Sequence, residues 1–379
     1  MLRKLLPVAV AAVFSSCAFA APQVTLFGTV DEFIAVNNTS GDVSTAVKSG
    51  GVNASHWGIK GSEKLGNGME VFFTLDNAYQ IDSGEMSASG NGRAWSREAD
   101  VGVRGAFGSL SFGRQYTPHF LTFLFYDPTG LSIGSSYSPF FMAGPHSTCG
   151  DYGDLVRTDN SISYVLPTSF GLTNFFFAAL GEHSNGLKSS STRGNLYNYA
   201  AKYDRGAFST MASYMYQNVA EGIPGSKKAG EKYGVHWLNF SMSYDFGVTK
   251  PVVQFEKKWG SEDHGSSSFW MVQLGTSTPV WGGKWMVSGS YLKNETRKSA
   301  NAWSFGTKYN YPLSKRTTVY AGAQATINGK NSGYAIEAGP DSSVHFDYDA
   351  TNAIAGTGYA TNFLGKDVQQ IFFGISHEF

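Results

Sequence analysis

Apolar and polar residues alternate with a period of two over most of the chain, in stretches of nine to fourteen residues broken by Gly, Asn, Asp and Ser. In Val235–Asp245, Leu238, Phe240, Met242 and Tyr244 share one face, and Trp237, Asn239, Ser241 and Ser243 share the other. In Pro251–Trp259, Val253, Phe255 and Trp259 alternate with Gln254, Glu256 and Lys258. In Thr317–Asn328, Val319, Ala321, Ala323, Ala325 and Ile327 oppose Thr318, Tyr320, Gln324, Thr326 and Asn328. Side chains of a strand point alternately to its two faces, so the pattern predicts strands with one apolar and one polar side. Sixteen such segments are predicted: 23–36, 52–63, 68–80, 96–106, 108–116, 157–166, 171–182, 194–204, 206–217, 233–246, 248–259, 266–278, 282–294, 300–311, 316–327 and 367–379.

A soluble sandwich also alternates, so three further features decide where this sheet lies. The segments are longer than the usual globular strand of about five or six residues. Aromatics such as Tyr197, Tyr199, Tyr203, Trp259, Trp281 and Trp285 cluster near segment ends, which suits interfacial girdles. The second face is polar throughout, which a wet interior tolerates and a sandwich core does not. Connections alternate short (Lys64–Asn67, Pro167–Phe170, Pro312–Lys315) and long (Asn37–Gly51, Ile81–Trp95, Thr117–Val156, Asn218–Lys232, Asn328–Lys366). The prediction is all-β: a 16-stranded antiparallel transmembrane β-barrel whose strands close on themselves in lipid and enclose an aqueous lumen. The last segment ends at Phe379, and the first is free to pair with it and close the barrel.

Thr117–Val156 is the exception. Four prolines (Pro118, Pro128, Pro139, Pro145) and five glycines break it up, yet Phe120, Phe123, Phe125, Tyr126, Tyr137, Phe140, Phe141 and Tyr152 make it strongly apolar. A solvated linker does not carry so much apolar surface. We expect it to fold inward as a constriction loop, its aromatics packed on the inner wall. It carries Asp127, Asp151 and Asp154 and no Lys or Arg. The expected domain plan is a signal peptide at 1–20 and a barrel at 21–379, with 117–156 as constriction loop and 328–366 as a long extracellular loop.

Composition supports export and restricts function. Arg3 and Lys4, the apolar run Leu5–Phe14 and the small-x-small site Ala18-Phe19-Ala20 form a secretory signal. Removing its two cations from 29 basic residues leaves 27 against 29 acidic, a formal −2. No charge excess points to nucleic acid. Past the signal only Cys149 remains, so no internal disulfide is expected, and it reads as an inert thiol. Gly-x-Ser-x-Gly, His-Glu-x-x-His and P-loop patterns are missing, and the histidines lack metal-ligand spacing, so neither an enzyme nor a metal or cofactor is expected.

Within the lumen, alternation places Arg157 with Asp159, Ser161 and Ser163, away from Ile162 and Tyr164. His56 and Lys60 share a face opposite Trp57 and Ile59. Arg114 shares its face with Leu110 and Phe112, which leaves a rim cation and a pore residue equally open. Arg97 falls with Ala99, Val101 and Val103, which by alternation alone suggests lipid.

Several linked motifs then carry a resemblance: Gln23-Val24-Thr25-Leu26-Phe27-Gly28 at the mature start, Gly58-Ile59-Lys60-Gly61-Ser62-Glu63-Lys64-Leu65-Gly66-Asn67-Gly68 at the first hairpin, Arg97-Glu98-Ala99-Asp100-Val101-Gly102-Val103, Gly113-Arg114-Gln115-Tyr116, Arg157-Thr158-Asp159-Asn160-Ser161-Ile162-Ser163-Tyr164 and the terminal Phe379. The chain resembles the trimeric general porins of Gram-negative outer membranes, in their betaproteobacterial and neisserial branch. The resemblance implies a homotrimer in outer-membrane lipid that passes ions and small hydrophilic solutes. It implies a constriction loop after Tyr116, facing a basic wall that includes Arg97 and Arg157. On it Arg97 points inward, leaving Glu98 and Asp100 outward under a neighbouring subunit. His56 stands where the family usually has arginine, a weaker and pH-dependent charge. Asp127, Asp151 and Asp154 are the nearest match to the family's acidic loop residues, so a transverse field across a narrow eyelet is expected. The balance leans slightly toward anions. A substrate-selective porin for a sugar or organic acid, and an adhesin or receptor barrel using Asn328–Lys366, are the alternatives.

Overall fold

The computed structural model describes residues 23–86, 93–142, 153–180, 195–219, 233–260, 268–336 and 364–379. The expected signal peptide, Cys149, Asp151 and most of 328–366 lie outside these. The strands are β1 (Gln23–Thr39), β2 (Asp42–Ser49), β3 (His56–Gly66), β4 (Met69–Ala78), β5 (Glu98–Gly105), β6 (Gly108–Tyr116), β7 (Arg157–Val165), β8 (Leu172–Ala179), β9 (Leu196–Arg205), β10 (Phe208–Val219), β11 (Tyr233–Tyr244), β12 (Lys250–Trp259), β13 (Phe269–Val280), β14 (Gly283–Asn294), β15 (Ala302–Pro312), β16 (Thr317–Asn328) and β17 (Val368–Glu378).

From β3 onward each strand pairs antiparallel with the next. The ring closes where β17 pairs with β1, from Thr29↔Glu378 to Thr39↔Val368. Beyond the last pair, Gly28 and Phe379 exchange backbone hydrogen bonds of 3.2 and 3.0 Å. No edge is left, as hydrocarbon requires. β1 pairs with β3 over Gln23–Thr29 and with β2 over Glu32–Thr39, so β2 continues the course of β3 and the wall has sixteen strands. The sequence reading left 42–49 in a connection. A tight turn at Ser40-Gly41, with φ of 50° and 105°, folds it back as a hairpin instead.

The two faces follow the alternation. Leu26, Ile34, Phe112, Leu238, Phe240, Leu274, Ile371 and Phe373 are exposed on the outside, as lipid contacts. Asn198, Asn239, Ser241, Gln254, Gln273, Ser290 and Gln324 are buried on the inside.

The inner side chains are buried because the loop covers them. Between β6 and β7 the chain forms three short helices, α1 (Pro118–Tyr126), α2 (Ser138–Met142) and α3 (Gly153–Val156). Thr117 caps α1 by accepting the Phe120 N–H at 3.1 Å, and Pro118 sits in the first turn, where its missing N–H costs nothing. Phe120, Phe123, Tyr137 and Phe140 pack with Trp237, Phe269, Met271 and Leu292 of the wall. Polar contacts then fix the position. His119 Nε2 and the Tyr137 hydroxyl both meet the buried Glu256 carboxylate, at 3.1 and 2.6 Å. Gln324 accepts from the Gly134 N–H and donates to the Ser135 carbonyl, at 3.1 and 2.6 Å. Lys308 donates to Ser132. Charged partners make the Glu256 contacts the strong ones, about 1.5–3 kcal/mol each.

Two wall glycines give the loop room. A Cβ on Gly306 would lie 2.0 Å from the Gly134 carbonyl oxygen, and one on Gly275 would lie 2.6 Å from Pro128 Cγ. The Gly306 clash is with backbone and cannot be relieved by a rotamer. Gly306→Val is therefore expected to lift the loop from the wall while the barrel still closes. Single-channel conductance in a planar bilayer should change while the folded band on a heat-modifiability gel persists. Wild-type conductance from the folded variant would show that the loop does not depend on this contact.

Candidate functional site

The loop leaves a cleft of ≈ 170 Å³ against the opposite wall, lined by Gly50–Ala54 on one side and Phe120, Leu124 and Gly130–Ser132 on the other, with Arg97, Tyr116 and Arg157 at its base. Arg97 Nε donates to Asp76 Oδ2 at 2.9 Å and its Nη2 to the Tyr116 hydroxyl at 2.9 Å. Arg157 Nη2 donates to the same hydroxyl at 2.7 Å, and its guanidinium lies 4.5 Å from the Tyr116 ring centroid. One phenol oxygen thus holds two cations beside each other. The Tyr116 ring is fixed in turn by stacking on Phe120 of α1, at 5.4 Å. Two neighbouring cations repel, so their proximity requires the anionic and dipolar partners found here.

Of the expected basic wall, Arg97 and Arg157 come together at this cleft. Arg157 lies on the lumen side, as alternation has it, whereas the position of Arg97 does not follow from alternation. Arg97 precedes β5 in a bend, where strand parity does not apply. The cross-strand pairs Lys60↔Thr74, Thr74↔Asp100 and Asp76↔Glu98 put Glu98 and Asp100 on the lumen side, while Val101 is exposed to lipid. The expected outward placement of Glu98 and Asp100 is thus corrected. In β7, the register jumps from Ser161↔Gly113 to Thr158↔Gln115, with Asn160 at a φ of 53°. Asp159 consequently does not accompany Arg157. It accepts from Arg93 and from Arg114, both at 2.7 Å.

Arg114 also donates its Nε to the Ser96 carbonyl at 2.8 Å and does not line the cleft. Lys60 and His56 share the lumen face, as alternation has it, but are not among the residues lining the cleft and pack around Phe27. Lys60 lies 4.8 Å over that ring, and His56 Nδ1 meets the Ala54 carbonyl at 2.8 Å. Phe379 is at the closure described above.

The acidic loop residues separate too. Asp127 is buried and turned into the loop. Its Oδ1 accepts from the Thr129 N–H and hydroxyl and the Leu131 N–H, and its Oδ2 from Ser135 and Gln273, at 2.6–3.2 Å. Five donors make it a brace of the turn at Pro128–Gly130. Asp151 and the side chain of Asp154 lie outside the described residues. The carboxylate nearest the arginines is Asp76, on the wall. Asp76 and Tyr116 are the members that sequence reasoning passed over, while Glu256, expected to tune the lumen field, here anchors the loop. Tyr116 stood inside the Gly113-Arg114-Gln115-Tyr116 motif next to the loop, and Glu256 on a lumen face of β12, so both carried a positional signal. Among the described residues, His, Cys, Asp and Glu form no cluster of three able to hold a metal.

With that geometry in place, comparison with known proteins is informative. The family described as Gram-negative porin matches residues 8–332. Outer membrane porin protein 32 of Delftia acidovorans is 29% identical over 330 residues, 84% of this chain and 88% of that one. Major outer membrane protein P.IB of Neisseria meningitidis is 25% identical over 328 residues, 81% of this chain and 89% of that one. Among solved structures, an anion-selective porin from Comamonas acidovorans superposes with a TM-score of 0.75 at 25% identity, covering 94% of this chain and 100% of the other. Alternating strands, a closed sixteen-stranded wall and an inward loop thus converge with the comparisons: the chain belongs to the Gram-negative porin family, as a barrel of the outer membrane.

Proposed function

We propose that this porin passes ions and small hydrophilic solutes by passive diffusion and discriminates among them at the Arg97–Tyr116–Arg157 cleft, favouring anions. The observation that carries the reading is the shared hydroxyl: two guanidinium groups are pinned side by side at the cleft between loop and wall. Asp76 pairs with Arg97, and Glu98 also stands on the lumen side near both guanidinium groups; on this reading the two arginines still set the sign at the gap. Asp127 is turned into the loop, where Lys308 offsets its charge, so it opposes them weakly. The similar solved structure is that of an anion-selective porin, which agrees with this sign. The selectivity is one of field and fit, with no chemical step. Assembly as a homotrimer is part of the proposal, on the resemblance to trimeric general porins, and three equal conductance steps per insertion would express it.

Two measurements follow. A unit charge about 5 Å from an ion's path is worth about 0.8 kcal/mol in a water-like dielectric. Arg157→Glu changes the charge by two such units, which raises an anion's energy and lowers a cation's by about 1.7 kcal/mol each, so the anion-to-cation permeability ratio should fall by at least about tenfold. The reversal potential in a salt gradient reads this, and an unmoved value would remove Arg157 from the conduction path. Tyr116→Phe keeps the ring under Arg157 and deletes the oxygen that holds both cations. Open-channel current noise should rise while selectivity keeps its sign, because the charges remain but lose their fixed separation. A quiet channel identical to wild type would show that the phenol does not position them.

A further inference from the structure

A second cavity lies on the other side of the loop. It is ≈ 500 Å³, within the range of roughly 300–1,000 Å³ usual for small-molecule sites. Its roof is the end of α1, and its walls are the lumen faces of β9 to β12 where the short turns Asp204–Gly206 and Phe246–Thr249 join them. Among the described aromatics of the loop, Phe120, Phe123, Tyr126, Tyr137 and Phe140 are buried, but Phe125 is 46% exposed and lines this cavity. Packing the loop does not explain that ring.

The charged groups below it divide into two sets. Lys202, Asp204, Ser209 and Tyr126 satisfy one another: Lys202 pairs with Asp204, Asp204 accepts from Ser209 at 2.6 Å, and Ser209 meets the Tyr126 hydroxyl at 2.6 Å. Lys250 and Asp245 are different. The β11–β12 register runs through Ser243↔Val252, so two residues further these flank the turn from opposite strands, both on the lumen face. They form no ion pair with each other. The Lys250 ammonium has no hydrogen-bond partner among the described residues, and Asp245 accepts only the Gly247 N–H of its own turn. One cation, whose field also reaches Asp204, and one anion thus flank the same turn without an ion pair between them, beneath an exposed aromatic ring.

We propose that this pocket is a binding subsite for zwitterionic α-amino acids with an aromatic side chain. The ligand carboxylate meets Lys250, its ammonium meets Asp245, and its ring packs on Phe125. An α-amino acid carries its two charges on groups bonded to the same carbon, which matches a Lys and an Asp that flank one turn without pairing with each other. A simple anion would gain from Lys250 and lose to Asp245. The exposed ring adds apolar and edge contact for an aromatic body. The inference rests on the lumen being a conducting channel, since the pocket opens nowhere else useful to a solute.

The test is block of potassium chloride current by phenylalanine in planar bilayers at neutral pH. Phenylalanine has no net charge there and carries no current of its own. Millimolar phenylalanine should block wild-type channels, with glycine (no ring) and 3-phenylpropionate (no ammonium) much weaker. Lys250→Gln and Asp245→Asn each remove one charge-assisted contact, and each should raise the half-blocking concentration about tenfold. Phe125→Ala should raise it about threefold to tenfold. Lys250→Arg and Phe125→Tyr, which keep charge and ring, should retain block, guarding against variants that merely misfold. Equal block by 3-phenylpropionate and phenylalanine, wild-type block in Lys250→Gln or Phe125→Ala, or no block in conducting wild-type channels would each overturn the subsite. Wild-type protein that folds but conducts no potassium chloride would sink the channel reading itself, a distinct result.

Discussion

Hydrocarbon cannot hydrogen-bond a peptide group, and the rest of this structure follows from that constraint. Every N–H and C=O within the membrane needs a partner in the chain, so the sheet must close. Closure is completed by the pairing of β1 with β17 and by the reciprocal bonds of Gly28 and Phe379. A ring of sixteen strands is too wide for side chains to fill. The resulting lumen is what allows a long aromatic segment to leave the wall and still be buried. The loop is thus a product of the barrel's diameter, and its apolar residues find a core where a narrower barrel has none.

Inside, the loop divides one lumen into unlike spaces. On one side it lies against β9 to β16, held by Glu256, Gln324 and Lys308, polar residues whose burial is tolerated because each is bonded to loop atoms. On the other it faces a cleft floored by two arginines. Charge and packing are thereby separated: the wall residues that anchor the loop differ from those that line the cleft. Asp127 belongs to the first group, although a sequence argument assigned it to the second. An acidic residue in a Pro/Gly turn accepts backbone N–H groups readily, and here that local use took precedence over any field across the lumen.

The fold was largely legible in the sequence because lipid on one side and water on the other enforce alternation, and alternation survives in the residues. All sixteen wall strands lie at predicted segments. The missed element, β2, is short, and its turn at Ser40-Gly41 was the available signal. The candidate site was less legible, because parity fails where strands are irregular. Arg97 sits in a bend before β5, and Arg157 lies beyond the irregularity at Asn160. Arg97 was placed inward by resemblance against its parity, Arg157 was placed on the lumen side by alternation, and Asp159, placed by the same parity, went elsewhere. His56 and Lys60, in regular strand, fell on the expected face but not at the expected place along it: alternation fixes a side, not a depth.

The shared phenol oxygen of Tyr116 carries a consequence for how such a channel changes over evolutionary time. Arg97 and Arg157 are far apart in the chain yet are bonded to one atom, so each defines the environment in which the other is tested. Residues coupled through a common partner do not contribute independently. On the proposed reading, substitutions at either arginine and at the tyrosine are then expected to shift ion preference jointly, each one's effect depending on the residues present at the other two.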